Sequence, residues 1–115
     1  MNIKVVGIDL AKNVFQVCVC LKDNTIQNNK KVTRAKLLHT IRQLPEGTLI
    51  AMEACGTAHY WGRIFEEHGF KVRLIPAQHV KPFVKNQKND ANDAVAICEA
   101  AFRINIHFVP VKSIE

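Results

Sequence analysis

The 115-residue sequence contains no apolar run approaching the ~20 residues of a membrane-spanning helix, and its N-terminus lacks the charged-then-apolar layout of a secretion signal. A cytoplasmic protein that makes no use of a membrane is therefore expected. Glycine is sparse, and the five glycines stand singly, so there is no glycine-rich loop to cradle the phosphates of a nucleotide. The four cysteines, Cys18, Cys20, Cys55 and Cys98, form neither a CxxC pair nor a Cys/His cluster at zinc spacing. Their aliphatic neighbours mark them as core thiols. The five histidines, His39, His59, His68, His79 and His107, are scattered without ligand spacing, which leaves them surface or capping roles. Serine occurs once, as Ser113 in the tail VPVKSIE, outside any setting that suits a nucleophile.

What the chain does have is core-forming material and positive charge. A hydrophobic content of 48% over 115 residues suits one compact domain. Sixteen Lys and Arg against ten Asp and Glu leave a net charge of +6, which suits a phosphate-bearing partner and equally suits an ordinary basic surface.

Hydrophobic periodicity divides the chain into alternating elements. Ile3 to Asp9 reads as a nearly continuous apolar strand, and Val14 to Leu21 as a second with two fairly apolar faces. Lys22-Asp23-Asn24 is a turn, and Thr25 to Val32 is polar enough for an edge strand, so the first three strands form an antiparallel meander. Thr33 can cap a helix carrying Leu37, Leu38, Ile41 and Leu44, closed by Pro45 and Gly47. Thr48 to Glu53 follows as a short buried strand. Thr57 opens a helix with Tyr60, Trp61, Ile64 and Phe65 on one face, Gly69 ends it, and Phe70 to Ile75 is a fifth strand. Beyond Pro76 the chain turns basic and irregular, and Asn89 or Asp90 then caps a helix to about Phe102, with Ala94, Ile97, Cys98 and Ala101 able to pack on the sheet.

A meander followed by strand, helix, strand, helix, strand predicts an α/β fold: a mixed five-stranded sheet with right-handed crossovers and flanking helices. In such sheets ligands gather at the carboxyl ends of parallel strands. Asp9 and Glu53 both end apolar strands, in KVVGIDLAK and TLIAMEACG, and fall at that edge if their strands are neighbours. Asp90 and Asp93, in KNDANDA, share one face of a helix start. Like charges this close repel, so something positive belongs between them, and the helix N-terminus supplies part of that field. Hard oxygen donors without histidine or thiolate partners favour Mg²⁺ or Mn²⁺, and a pair of such ions can promote phosphodiester cleavage.

The neighbours of this acidic set have competing readings. Lys81, Lys85 and Lys88, with His79, form a candidate phosphate-contacting segment or a solvated connection. Lys12 is a candidate phosphate contact or an exposed turn lysine. Tyr60 and Trp61 can stack on a base, but core packing is the favoured role at this spacing. Gly7 and Gly56 are expected to permit close backbone approach beside the acids.

The blocks GIDLAK, MEACGTAHYW and KNDANDA resemble, in order and spacing, the motifs of the DEDD transposases of bacterial insertion sequences. The N-terminal domain of that family is RuvC-like, within the ribonuclease H-like superfamily. The resemblance implies that Asp9, Glu53, Asp90 and Asp93 are the catalytic, metal-holding tetrad for Mg²⁺ (or Mn²⁺). It further implies a DNA recombinase guided by an RNA, acting as a homo-oligomer when full-length, with a second domain that carries a nucleophilic serine. On that basis residues 1–103 are expected to form the RuvC-like domain and residues 104–115 to begin a connector towards an absent second domain, the isolated chain being inactive alone. Two rivals stay open. A fragment of an actin-like or sugar-kinase ATPase shares the GID strand but needs the missing glycine-rich loop, and a non-catalytic nucleic-acid-binding module would make the acids incidental.

Overall fold

The computed structural model describes residues 2–11, 13–83, 90–103 and 107–112, apart from the side chain of Asp90. Strands β1 (Ile3–Asp9), β2 (Val14–Leu21) and β3 (Ile26–Thr33) lead into helix α1 (Arg34–Arg42). Strand β4 (Leu49–Glu53), helix α2 (Gly56–Glu67), strand β5 (Lys71–Ile75), helix α3 (Ala77–Val80), a 3₁₀ turn (Lys81–Phe83) and helix α4 (Asp90–Ala100) follow. The sheet order is β3-β2-β1-β4-β5. β1 pairs antiparallel with β2 and β2 with β3, whereas β4 runs parallel to both β1 and β5. An antiparallel meander extended by parallel strands, with helices on both faces, is the ribonuclease H-like arrangement.

Strand alternation sorts the core into two layers. Val6, Ile8, Phe15, Val17, Val19, Ile50, Met52 and Leu74 face α1 and α2, which contribute Leu37, Ile41, Trp61 and Phe65. Val5, Cys18, Cys20, Ala51 and Ile75 face α4, which contributes Ala94, Ile97, Cys98 and Ala101. The small residues of α4 let that helix come very close to the sheet. A Cβ placed on Gly7 would stand 2.6 Å from Cys98 Sγ and 2.7 Å from the Ala94 carbonyl oxygen. The Cys98 thiol can turn aside, but the Ala94 carbonyl and the Cys98 amide nitrogen (3.2 Å) are helix backbone, so those contacts do not relax without moving the helix.

Several sequence expectations need correction. The basic segment after Pro76 is not irregular at its start, because His79 lies in α3 and Lys81 opens the 3₁₀ turn. Thr33 occupies the N-cap of α1 but its hydroxyl makes no capping bond. Cys55 is exposed at the N-cap of α2, whereas Cys18, Cys20 and Cys98 are buried thiols. Gly56 has nothing within 4 Å of an added Cβ and serves no close approach. Tyr60 is 45% exposed, while Trp61 is buried beside Phe15 and Phe65, because the apolar face of a helix resting on a sheet is narrower than the stripe of large side chains here.

Residues 107–112 lie back on the domain. The Val109 amide donates to the Leu74 carbonyl oxygen (2.8 Å), making an isolated antiparallel bridge on the outer side of β5. Val111 packs over Gly62 and Val72. The Lys112 amide donates to His59 Nδ1 (3.0 Å), and Arg63 Nη1 donates to the Lys112 carbonyl oxygen (2.9 Å).

Two outcomes follow from this packing. Gly7→Ala should lower stability by about 1–3 kcal/mol through the α4 clash, read as a shift in denaturation midpoint with an unchanged slope. His59 is held below the ordinary imidazole pKa, by desolvation first and then by Lys112 and Arg63. A ring that binds its proton less readily when folded contributes stability that is complete above the unfolded pKa of about 6.5 and is lost as pH falls through the lower folded value. The amide protection factor of Lys112 should therefore drop between pH 7 and pH 5, and His59→Gln should remove that dependence.

Candidate active site

Asp9 and Glu53 reach one place because of register. Ile8 on β1 is level with Met52 on β4, and the next residue of each strand is the acid. Both strands end there, and alternation turns both side chains towards the face that α4 covers. A cavity of about 170 Å³ is lined by Asp9, Glu53, Ala77, Val80, Lys81, Asp93 and Ile97. Three of the four acids singled out in the sequence thus line one cavity. Asp90 is the first residue of α4, but its side chain is not among those described.

Asp93 is carried in by the same contact that excludes a side chain at position 7. Ile97, one turn along α4, is buried and closes the floor of the cavity. Burying a side chain of this size contributes roughly 1.5–3 kcal/mol, which fixes the helix over the sheet before any ligand arrives. The start of the helix is tied down separately. Gln16, 5% exposed and level with Asp9 across the β1–β2 pair, donates from Nε2 to Asn29 Oδ1 (2.7 Å). Asn29 donates from Nδ2 to the Ala91 carbonyl oxygen (3.0 Å) in the first turn of α4. This relay was not anticipated from the sequence, although a glutamine within the otherwise apolar VFQVCVCL was its available signal.

Of the four lysines singled out, Lys81 lines the cavity, while Lys12, Lys85 and Lys88 lie outside the described residues. The carboxylate oxygens are hard donors of the type divalent cations take, while the Lys81 ammonium on the same cavity repels a cation and attracts an anion. Among the described residues, however, no three His, Cys, Asp or Glu side chains stand close enough to hold one ion. The cavity is therefore an open acidic pocket and not a closed cage. A larger cavity, about 520 Å³, lies by the start of β1 and is lined by Lys4, Cys20, Asn24, Ile26, Val95, Cys98 and Glu99. It brings no pair of carboxylates together, so size alone is a poor guide to the chemistry here. None of the described helices is long and apolar enough to cross a membrane.

A ribonuclease H-like sheet with carboxylates at the ends of its two central parallel strands is thus in place. Residues 6–115 match the IS110-type DEDD transposase family, and the chain belongs to that family. It is 51% identical over 115 residues to a Pseudomonas aeruginosa protein named "Probable family 20 transposase", covering 100% of this chain and 34% of that protein. It is 45% identical over 114 residues to the transposase for insertion sequence element IS1111A of Coxiella burnetii, covering 99% and 31%. It is 41% identical over 112 residues to the transposase for insertion sequence element IS1328 of Yersinia enterocolitica, covering 97% and 33%. The chain spans about a third of the length of these relatives.

If the relay from Gln16 through Asn29 fixes the start of α4, Asn29→Leu should leave the Gln16 amide buried without its acceptor. The expected cost is about 1–3 kcal/mol, with faster amide exchange concentrated in the first turn of α4. Uniform loss of protection across the domain would instead mark a general packing defect.

Proposed function

We propose that this chain is the acidic domain of a DNA transposase, in which Asp9, Glu53, Asp90 and Asp93 hold Mg²⁺ or Mn²⁺ against a DNA phosphodiester. The observation that carries the reading is the single cavity lined by Asp9, Glu53, Asp93 and Lys81 at the carboxyl ends of β1 and β4. Strand ends supply two carboxylates on a rigid base, and the helix start supplies Asp93 from a direction the sheet cannot provide. When bound, a divalent ion would polarise the phosphodiester and stabilise charge on the leaving oxygen. The residues themselves gather negative charge that a cation neutralises, and Lys81 offers its ammonium to a phosphate oxygen at the rim of the cavity. An open pocket suits a site that tightens as DNA enters, since catalytic geometry is often looser without substrate.

The wider activity is part of the same proposal. Cutting and rejoining of DNA during movement of an insertion sequence, guidance by an RNA, and assembly into a homo-oligomer are carried over from the DEDD transposases, supported by the family match and the acidic edge. Phosphate contacts by Lys12, three residues after Asp9, and by Lys85 and Lys88, in the basic stretch that follows Pro76, belong here too. With its single serine in the tail, the 115-residue chain supplies the acidic half of the chemistry and binds DNA without exchanging strands.

The experiment that tests the site is a thermal melt with and without millimolar Mn²⁺. The ion should raise the melting temperature by mass action, and Asp9→Asn or Glu53→Gln should abolish the rise. Lys81→Gln should leave the metal response in place and reduce the salt dependence of DNA binding by about one phosphate contact. A melting curve unmoved by Mn²⁺ in the presence of DNA would contradict the metal site.

A further inference from the structure

A second feature stands at the same edge of the sheet, on the opposite face from the acidic pocket. Tyr60 is in the second turn of α2, which begins three residues after Glu53, and the residue is 45% exposed. The ring is held in place from beneath by an edge-on contact with the buried Trp61 (5.3 Å between centroids, 84° between planes). Arg34, the first residue of α1, places its guanidinium 5.8 Å from the Tyr60 ring centroid and 5.6 Å from that of Trp61. The Arg34 backbone amide donates to the Asn13 carbonyl oxygen (2.8 Å), fixing the start of α1 to the segment that leaves Asp9. Val14 at the start of β2 is 41% exposed and level with Thr33, the residue before Arg34. Lys30 is exposed, two residues before the buried Val32 on the strand that leads into Arg34.

The combination has a chemical meaning. An exposed aromatic residue of fixed orientation, with the Arg34 guanidinium 5.8 Å from its ring centroid and no Asp or Glu among Val14, Lys30, Thr33, Arg34, Tyr60 and Trp61, suits a flat apolar group next to a negative one. An unpaired base with its flanking phosphate has that form: the base stacks on the ring while the guanidinium meets the phosphate. A bare protein segment satisfies the ring but leaves the arginine and lysine without a charge partner. A duplex satisfies the cations but keeps its base faces covered.

We infer that Tyr60 and Arg34 form a stacking platform for an unpaired base of a DNA strand that crosses the acidic edge of the sheet. The inference rests on the reading of the domain as DNA-binding, and adds to it an unpaired segment beside the scissile region. Tyr60 is a positioning residue in this scheme. It fixes where the strand lies and takes no part in bond making or breaking. Because neither group reads a sugar hydroxyl or a base edge, the platform is indifferent to base identity.

The test is fluorescence anisotropy on the 115-residue chain with a labelled oligothymidine of ~12 nucleotides, a duplex of equal length, and an oligouridine. Tyr60→Ala should weaken oligothymidine binding about tenfold, within the range of one lost base stack, and change duplex binding by less than twofold. Tyr60→Phe should bind as the parent does. Arg34→Gln, which keeps the backbone bond to Asn13, should weaken binding at low salt and flatten the salt dependence. Circular dichroism on each variant separates these effects from unfolding, and an exposed ring is replaceable without collapse of the core. Equal losses on single strand and duplex, no loss with a folded Tyr60→Ala, or more than tenfold tighter binding of oligouridine than of oligothymidine would overturn the platform. Asp9→Asn distinguishes the two proposals. If it abolishes the Mn²⁺ response and leaves the Tyr60 dependence intact, the platform stands independently of the metal site. If the Tyr60 dependence vanishes while the metal response persists, only the platform fails.

Discussion

The contact between α4 and β1 is the constraint on which the rest of this domain depends. At Gly7 the helix lies so near the strand that a methyl group would meet Cys98 Sγ at 2.6 Å and the Ala94 carbonyl at 2.7 Å. Such closeness requires small residues on the other side as well, and Ala94, Ala101 and Cys98 provide them. Their cost is lost apolar area, since alanine buries far less than leucine. The return is positional: interiors packed at crystal-like density deform little, so a helix seated this closely holds its register against the sheet.

That register decides what the edge of the sheet presents. β1 and β4 are parallel neighbours, so their terminal acids come level without any loop having to bring them together. Asp93 arrives from α4, whose first turn is held by the Gln16–Asn29 relay and whose next turn is held by Ile97. Two strand ends and one helix start thus converge from elements whose own packing fixes them. The same edge carries, on its other face, a tyrosine and an arginine anchored at the starts of α2 and α1. A nucleic-acid strand laid across the edge meets an acidic pocket on one side and a cationic aromatic surface on the other.

Much of this was legible in the sequence, and the reasons are local. β1 and β2 were readable to the residue because Ile3–Asp9 and Val14–Leu21 are unbroken apolar or alternating runs bounded by polar residues. β3 was placed one residue early at each end, because a polar edge strand has no hydrophobic pattern to mark its limits. Tyr60 was misread as core, since helical spacing identifies a face but not how wide a strip of it the sheet covers. The exposure of Cys55 was missed for a related reason, as a strand end and a helix cap look alike to periodicity. Gly7 was read correctly as a close approach and Gly56 was not, because the partner that makes a glycine necessary is distant in sequence. The relay from Gln16 to Ala91 spans β2, β3 and α4, and only the folded chain brings those three together.

The central claim is that divalent metal binds where Asp9, Glu53 and the start of α4 converge. The most direct measurement is paramagnetic line broadening of the isotopically labelled chain during titration with Mn²⁺. The account predicts early loss of the amide signals of Leu10, Ala54 and Asn92 to Ala94, with the Lys4 and Glu99 end of the domain retained, and no such pattern in Asp9→Asn. Broadening centred on Glu66 and Glu67, or spread evenly over the surface carboxylates, would contradict it.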